Sequence, residues 1–148
     1  MSEHLLVTRN NRCLTLSLNR PEKKNALTSA MYAALHQQLE LARTDSSVRV
    51  VLLNGEGGVF TSGNDLLDFR RTLESGVAIS ETSALRFMHA LLDFPKPVVA
   101  AVEGMAIGIG ATLLLRRRDV HRQARRVHRQ AHARHRAPAS SDLPVVRA

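Results

Sequence analysis

The chain opens on alternation. Leu5 to Arg9 and Cys13 to Leu18 read as two short strands, and in the second apolar positions recur every second residue, with Leu14, Leu16 and Leu18 on one side. A period of two is the side-chain period of a strand. Asn10-Asn11 between them is a turn signal, so the pair predicts a hairpin. Asn19-Arg20-Pro21 stops the second strand, because proline has no N–H to give a ladder. The period then changes. Thr28 is a good N-cap, and Met31, Leu35, Leu39 and Ala42 follow at spacings of four and three, which predicts a helix to about Arg43 with one apolar stripe. Val48 to Leu53 is a β-branched run bounded by polar residues and Asn54-Gly55, the pattern of a buried strand. Gly55 to Asn64 is a glycine-rich loop, and Asp65 to Arg71 reads as a short helical turn. Ser80 or Thr82 can cap a helix through about Leu92, with Leu85, Met88, Ala90 and Leu92 as its core side. Lys96-Pro97 ends that segment. Pro97 to Val102 is a second buried strand, Gly104 to Gly110 a second glycine-rich loop, and Gly110 to Leu115 the start of an apolar helix.

The order β, β, α, β, α, β, α predicts an α/β fold with helical crossovers. Both glycine-rich loops follow buried strands, where such folds place ligand sites. A length of 148 residues suits one domain with a real core. No apolar run is long enough to cross a bilayer. Met1 to His4 lacks the basic and apolar regions of a signal peptide. Cys13, the single cysteine, has no partner for a disulfide, reads as a small hydrophobe on a strand face, and makes the cytosol the expected compartment. No spacing of His, Cys and Asp suggests a metal site. His89, in the third helical segment, reads as a partly core-facing histidine.

Charge divides the chain in two. The formal net charge is +8. Residues 116–148 hold ten Arg and no Lys against Asp119 and Asp142, so the tail carries all of that excess and residues 1–115 are neutral. The tail has no Gly, Glu, Asn, Thr, Ile or aromatic residue, and the helix begun at Gly110 loses its apolar stripe on entering it. Three readings of residues 116–148 stand side by side. They are a basic arm for nucleic acid or an anionic surface, a disordered solubilising tail, and an out-of-frame translation of a G+C-rich coding sequence. The absence of Lys and aromatics weakens the first, and the break in mid-helix favours the third.

Three segments together carry a family likeness: Asn19-Arg-Pro-Glu-Lys-Lys-Asn-Ala-Leu27, Phe60-Thr-Ser-Gly-Asn-Asp-Leu66 and Asp93-Phe-Pro-Lys-Pro-Val-Val-Ala-Ala-Val-Glu-Gly-Met-Ala-Ile-Gly-Ile-Gly110. In this order and spacing they resemble the crotonase superfamily of enoyl-CoA hydratases and isomerases. Ser62 to Leu66 and Asp93 to Pro97 look most like the Δ3,Δ2-enoyl-CoA isomerase branch. The resemblance covers residues 1–115 and about the N-terminal half of such an enzyme. It implies a spiral of ββα units, here partial, forming an acyl-CoA-binding domain over 1–115 and followed by the basic tail 116–148. It implies no cofactor beyond the coenzyme A of the substrate. It also implies the family's homotrimer or dimer of trimers, with no membrane or nucleic-acid partner.

The chemistry the resemblance implies is the stabilisation of an enolate. A thioester carbonyl gains negative charge when a proton leaves C2, and two backbone N–H groups aimed at that oxygen stabilise it. By the family's pattern these belong to Asn64, after Gly63, and to Ile109, between Gly108 and Gly110 at a helix start. Lys23, Lys24 and Ala26 match the segment that lines the family's CoA pocket, with Ser62 beside them, and Asp65 and Leu66 the place where backbone receives the adenine end. Lys23, Lys24 and Lys96 read equally as solvated lysines, and Asp65 as a helix cap. Thr112 stands where hydratases carry a water-activating glutamate, and threonine is no general base near neutral pH. Isomerases place one carboxylate further on, in a stretch that would fall beyond residue 115, and the tail has no Glu. Glu103 reads as a residue that caps or bridges the second loop. Three functional readings follow: an isomerase-like enzyme lacking its proton carrier, a non-catalytic fragment that binds CoA or a partner subunit, and an Arg-rich nucleic-acid binder. A partial spiral would expose sheet edges and apolar helix faces, so self-association is expected. The C-terminal Val145-Val-Arg-Ala148 does not resemble a peroxisomal address.

Overall fold

A computed structural model of the protein describes residues 3–115. The basic tail and every expectation placed on it lie outside the described residues. Strands β1 (Leu5–Asn10) and β2 (Cys13–Leu18) form an antiparallel hairpin in which Asn10 pairs with Cys13. The two-residue turn is therefore Asn11-Arg12, one residue later than predicted. Both of its residues have positive φ, 45° and 64°, the backbone that matches the twist of a tight hairpin.

Helix α1 (Ser29–Thr44) crosses from β2 to β3 (Val50–Gly55), which pairs parallel to β2. Thr28 caps it by accepting a hydrogen bond from Met31 N–H at 3.2 Å. The stripe Met31, Leu35, Leu39 and Ala42 is buried along its length. From β3 the chain passes through α2 (Leu66–Glu74) and α3 (Ser83–Leu92) to β4 (Val98–Ala100), parallel to β3. A last helix, α4, begins at Ile109 and runs to Leu115. The sheet order is β1-β2-β3-β4, the start of the expected spiral.

Lateral rows of side chains build the core. Leu14 is opposite Val51, which is opposite Val98, and Leu16, Leu53 and Ala100 form the next row. All six are buried, against α1 and against Phe87, Met88 and Ala90 of α3. Val50, Leu52 and Val99 point the other way and are only half-buried. The prediction of fully buried strands is thus corrected. Helices α1 and α3 cover one face of the sheet, and burial alternates as it does in a one-sided sheet. The strand expected from Pro97 to Val102 has only three residues, because the chain then turns into the second glycine-rich loop.

Helix α3 also differs from its prediction. Met88 and Ala90 are buried as expected, together with Phe87, and Leu85 packs partly buried against the core beside Ala84 and Leu91, but Leu92 is exposed. His89 falls on the outward side and is exposed. Lys96, read as a pocket or solvated lysine, instead donates from Nζ to the carbonyls of Ala42 and Asp45, both at 2.6 Å, and so satisfies the C-terminus of α1.

Candidate active site

The site is assembled from three irregular segments at the ends of β2, β3 and β4. In the first, residues 19–27, Pro21–Lys23 forms a single helical turn and both Lys24 and Asn25 have positive φ. Asn tolerates this backbone better than most residues, and here its side chain is the hub. Asn25 is fully buried. Its Oδ1 accepts from Arg20 N–H at 2.7 Å, and its Nδ2 donates to the carbonyls of Glu56 at 2.9 Å and Val59 at 2.6 Å. The first segment is thereby tied to the loop after β3.

Thr61, also fully buried, is the second hub. Its hydroxyl donates to the Asn25 carbonyl at 2.7 Å and accepts from Gly63 N–H at 3.0 Å. Its own N–H donates to Met105 O, and its carbonyl accepts from Ile107 N–H, joining the loop after β3 to the loop after β4. Phe60 N–H donates to Glu103 O in the same run. Glu103 therefore bridges the two loops through its backbone, while its side chain is exposed.

The two glycine-rich loops meet at Gly63 and Gly108. A Cβ at Gly63, where φ is 97°, would lie 3.1 Å from the Ile107 carbonyl oxygen. A Cβ at Gly110 would lie 2.5 Å from Cγ2 of Thr61. Glycine at these two positions is what lets the backbones approach.

Two N–H groups remain at this contact. The Gly63 carbonyl accepts from Leu27 N–H at 2.8 Å, so in the trans peptide the Asn64 N–H points away from Leu27. The Gly108 carbonyl accepts from Thr112 N–H at 3.1 Å, so the Ile109 N–H points out of the start of α4. Among the described residues, neither N–H has a hydrogen-bond partner. The Thr112 hydroxyl turns back to the Gly108 carbonyl at 3.3 Å.

Beside Asn64 lies a cleft of about 80 Å³. Leu27, Tyr32, Phe69, Leu73 and Ile79 give it an apolar lining, with Ser29, Asp68 and Thr72 at a polar edge. Ser29 donates to Asp68 Oδ2 from both N–H and Oγ, at 2.8 and 2.7 Å. Tyr32 OH donates to Asn64 Oδ1 at 2.5 Å. Burial pushes the Tyr32 phenol well above its ordinary pKa, which keeps it a proton donor.

Asp65 caps α2, accepting from the N–H groups of Leu67 and Asp68. Its Oδ2 accepts from Arg20 Nη1 at 2.7 Å, and this bond, followed by the backbone bonds, holds the carboxyl below the usual range. The backbone N–H of Asp65 donates to Leu27 O and its carbonyl accepts from Phe69 N–H. Leu66 is highly exposed at the start of α2. Lys23 and Lys24 are exposed on the first segment, and Ala26 is half-buried with its carbonyl held by Arg20 at 3.2 Å. Ser62 joins this group, its N–H donating to Lys24 O at 2.9 Å. The structure thus gathers Lys23, Lys24, Ala26, Ser62, Gly63, Asn64, Asp65, Gly108 and Ile109 around one pair of loops.

Sequence reasoning missed Arg20, Asn25, Tyr32 and Thr61 as organisers. For Tyr32 a signal existed: a tyrosine beside Met31 on a buried stripe must find a partner for its hydroxyl. Arg20, Asn25 and Thr61 bond chiefly across the fold, which one sequence does not display.

Residues 8–120 match the family described as enoyl-CoA hydratase/isomerase. The chain belongs to that family. Human enoyl-CoA delta isomerase 2 is 40% identical over 116 residues, covering 76% of this chain and 29% of the relative. The 2,3-dehydroadipyl-CoA hydratase of Escherichia coli K12 is 38% identical over 115 residues, covering 78% and 44%. Among solved structures, Pseudomonas aeruginosa OdaA superposes with a TM-score of 0.72 at 53% identity, covering 78% of this chain and 45% of that one. The chain spans less than half the length of these relatives. No described helix is long and apolar enough to cross a membrane.

Proposed function

We propose that residues 1–115 form an acyl-CoA-binding domain, and that the chain supplies the oxyanion half of an enoyl-CoA isomerase-like site. The carrying observation is the pair of uncommitted N–H groups of Asn64 and Ile109 where the two glycine-rich loops meet. In this reading both donate to the thioester oxygen and stabilise the enolate formed when a proton leaves C2. The cleft beside Asn64 takes the acyl chain, its apolar lining matching a hydrocarbon. Lys23 and Lys24 face the phosphates of coenzyme A, Ala26 and Ser62 line its path, and Asp65 and Leu66 border the adenine. No cofactor is required beyond the coenzyme A that the substrate carries.

The proton carrier is the missing part. Asp65 is held ionised by Arg20, and the Thr112 hydroxyl is committed to Gly108 O. Asp68, at the edge of the cleft, accepts from Ser29 N–H and Oγ, and the stretch where isomerases carry their carboxylate lies outside the described residues. Proton transfer by a placed side chain contributes roughly 10²–10⁴-fold to rate. Slow turnover, or binding without turnover, is the expected behaviour. Thr112 in place of the hydratase glutamate counts against hydratase activity and leaves the isomerase-like and the non-catalytic readings equally open.

The test is direct. The purified protein is titrated with a saturated acyl-CoA by calorimetry and then incubated with a 3-enoyl-CoA while formation of the conjugated 2-enoyl thioester is followed by absorbance. Saturable binding with conversion at least about 100-fold below an intact isomerase supports the reading. Absence of acyl-CoA binding overturns it.

A further inference from the structure

We infer that Tyr32 is a positioning residue whose hydroxyl occupies the Asn64 side-chain oxygen and thereby keeps that oxygen from capturing the N–H donors of the site. The inference rests on the oxyanion reading of Asn64 and Ile109. It begins from a conflict of chemistry at one residue. Asn64 is proposed to donate through its backbone, yet its carboxamide carries an acceptor on a short tether. Asparagine side chains readily accept from nearby backbone N–H groups, the bond that forms Asx turns. A loose Asn64 Oδ1 next to two uncommitted N–H groups would satisfy one of them itself and compete with a thioester oxygen.

Tyr32 removes that competitor. The phenol sits on α1, whose N-terminus is fixed by the Thr28 cap, and its ring packs against Phe87 with centroids 5.9 Å apart. The residue is 3% exposed, so the hydroxyl is a rigid post rather than a surface group. It donates to Asn64 Oδ1 at 2.5 Å, the shortest side-chain hydrogen bond among the described residues, and Asn64 itself is exposed. The carboxamide is held toward α1 and the cleft wall, on which both residues lie. The Asn64 peptide is anchored independently by Leu27 N–H on the Gly63 carbonyl and by Asp65 N–H on Leu27 O. Tyr32 is therefore not needed to form the loop. It governs only what the Asn64 side chain does there.

This predicts a rescue that a packing role would not produce. The probe is cinnamoyl-CoA, whose absorption moves to longer wavelength when donors polarise the thioester carbonyl. Four proteins are compared: wild type, Tyr32→Phe, Asn64→Ala and the double variant. Wild type is expected to give the full red shift, and Asn64→Ala, which keeps the backbone N–H but removes the side-chain oxygen, is the reference for the double variant. Tyr32→Phe should bind with Kd within about threefold of wild type but give about half the shift or less. The double variant, with the competing oxygen gone, should exceed Tyr32→Phe and match Asn64→Ala. If wild type binds the probe with no red shift, the oxyanion reading fails and this inference fails with it. If Tyr32→Phe keeps the full shift, the oxyanion reading stands and the inference is overturned. A double variant as weak as Tyr32→Phe, or failure of both to fold, assigns Tyr32 to packing and also overturns it. If only Tyr32→Phe fails to fold, the comparison of the double variant with Asn64→Ala decides, and any lower shift in the double variant overturns the inference.

Discussion

Arg20 and Asp65 lie 45 residues apart in sequence, and Arg20 Nη1 donates to Asp65 Oδ2 at 2.7 Å. The same nitrogen reaches the Ala26 carbonyl at 3.2 Å. One guanidinium thus joins the segment after β2 to the N-terminus of α2, on either side of the Asn64 loop. The two side chains are only 16% and 17% exposed, so the pair is largely shielded from water. Its charge-assisted bonds are of the stronger kind. Candidate ligand residues here are held mainly by polar links between loops, while the apolar core lies beneath the sheet.

Acidification tests this link. The folded pKa of Asp65 is below its unfolded value of about 3.9. Its stabilising contribution is therefore fully present above that unfolded value and is lost as pH falls through the folded pKa. Asp65→Asn should lower stability by about 1–2 kcal/mol at pH 7. The difference between variant and wild type should shrink as pH falls below about 4. Urea unfolding of both proteins between neutral and acid pH checks it. A difference that stays constant with pH would place the contribution elsewhere.

Asn25 should be the most sensitive polar position of the fold. Asn25→Ala leaves the Arg20 N–H and the carbonyls of Glu56 and Val59 without their partner and puts alanine at a φ of 53°. Each unsatisfied buried group costs roughly 1–3 kcal/mol, so a loss of at least about 3 kcal/mol is expected. Asn25→Asp should be no better, because a carboxylate would face two carbonyl oxygens. Chemical denaturation reads both. A loss under about 1 kcal/mol for Asn25→Ala would show that water replaces the bonds.

Much of this was legible in one sequence. Thr28 as a cap, the Met31-Leu35-Leu39-Ala42 stripe and the alternation of Leu14, Leu16 and Leu18 are local signals, and the structure follows them. Where the sequence misled, the deciding physics was tertiary. The run Val48 to Leu53 looks buried on both sides, but helices cover one face, so Val50 and Leu52 stay half-buried. On α3 the expected Met88 and Ala90 are buried, Phe87 joins them, and Leu92 at the end of the helix is left exposed. In the site, the glycine-rich loops were legible as candidate ligand loops, but their close approach to each other at Gly63 and Gly110 was not. Arg20, Asn25 and Thr61 bridge segments 31–45 residues apart, and a spacing of that size leaves no periodic trace.

Gly110→Ala should damage the site more than its size suggests. The new methyl would meet Cγ2 of Thr61 at 2.5 Å, and Thr61 joins the two loops that carry Asn64 and Ile109. Overpacking of this kind costs roughly 1–3 kcal/mol. The shift of α4 against Thr61 should also weaken acyl-CoA binding by about tenfold. Calorimetric titration with an acyl-CoA measures the second effect. Unchanged affinity would show that Ile109 can move without consequence, which counts against its role as a donor.

The outer side of α2 makes the last prediction. No residue of α2 is buried, and Leu66 and Leu67 are 79% and 63% exposed. Apolar side chains in contact with water add little to folding, yet they favour association between copies. The double replacement Leu66→Lys and Leu67→Lys should therefore leave the urea midpoint of a dilute sample nearly unchanged, within about 0.5 kcal/mol. It should at the same time lower the concentration-dependent light scattering of the protein. Asp65 still caps the helix in this variant, and neither leucine lines the cleft beside Asn64. Two other results are informative. A large loss of stability in the dilute sample would mean that these leucines pack against something in the folded chain. Unchanged scattering would move the source of association to the edges of β1 and β4, which pair with no further strand among the described residues.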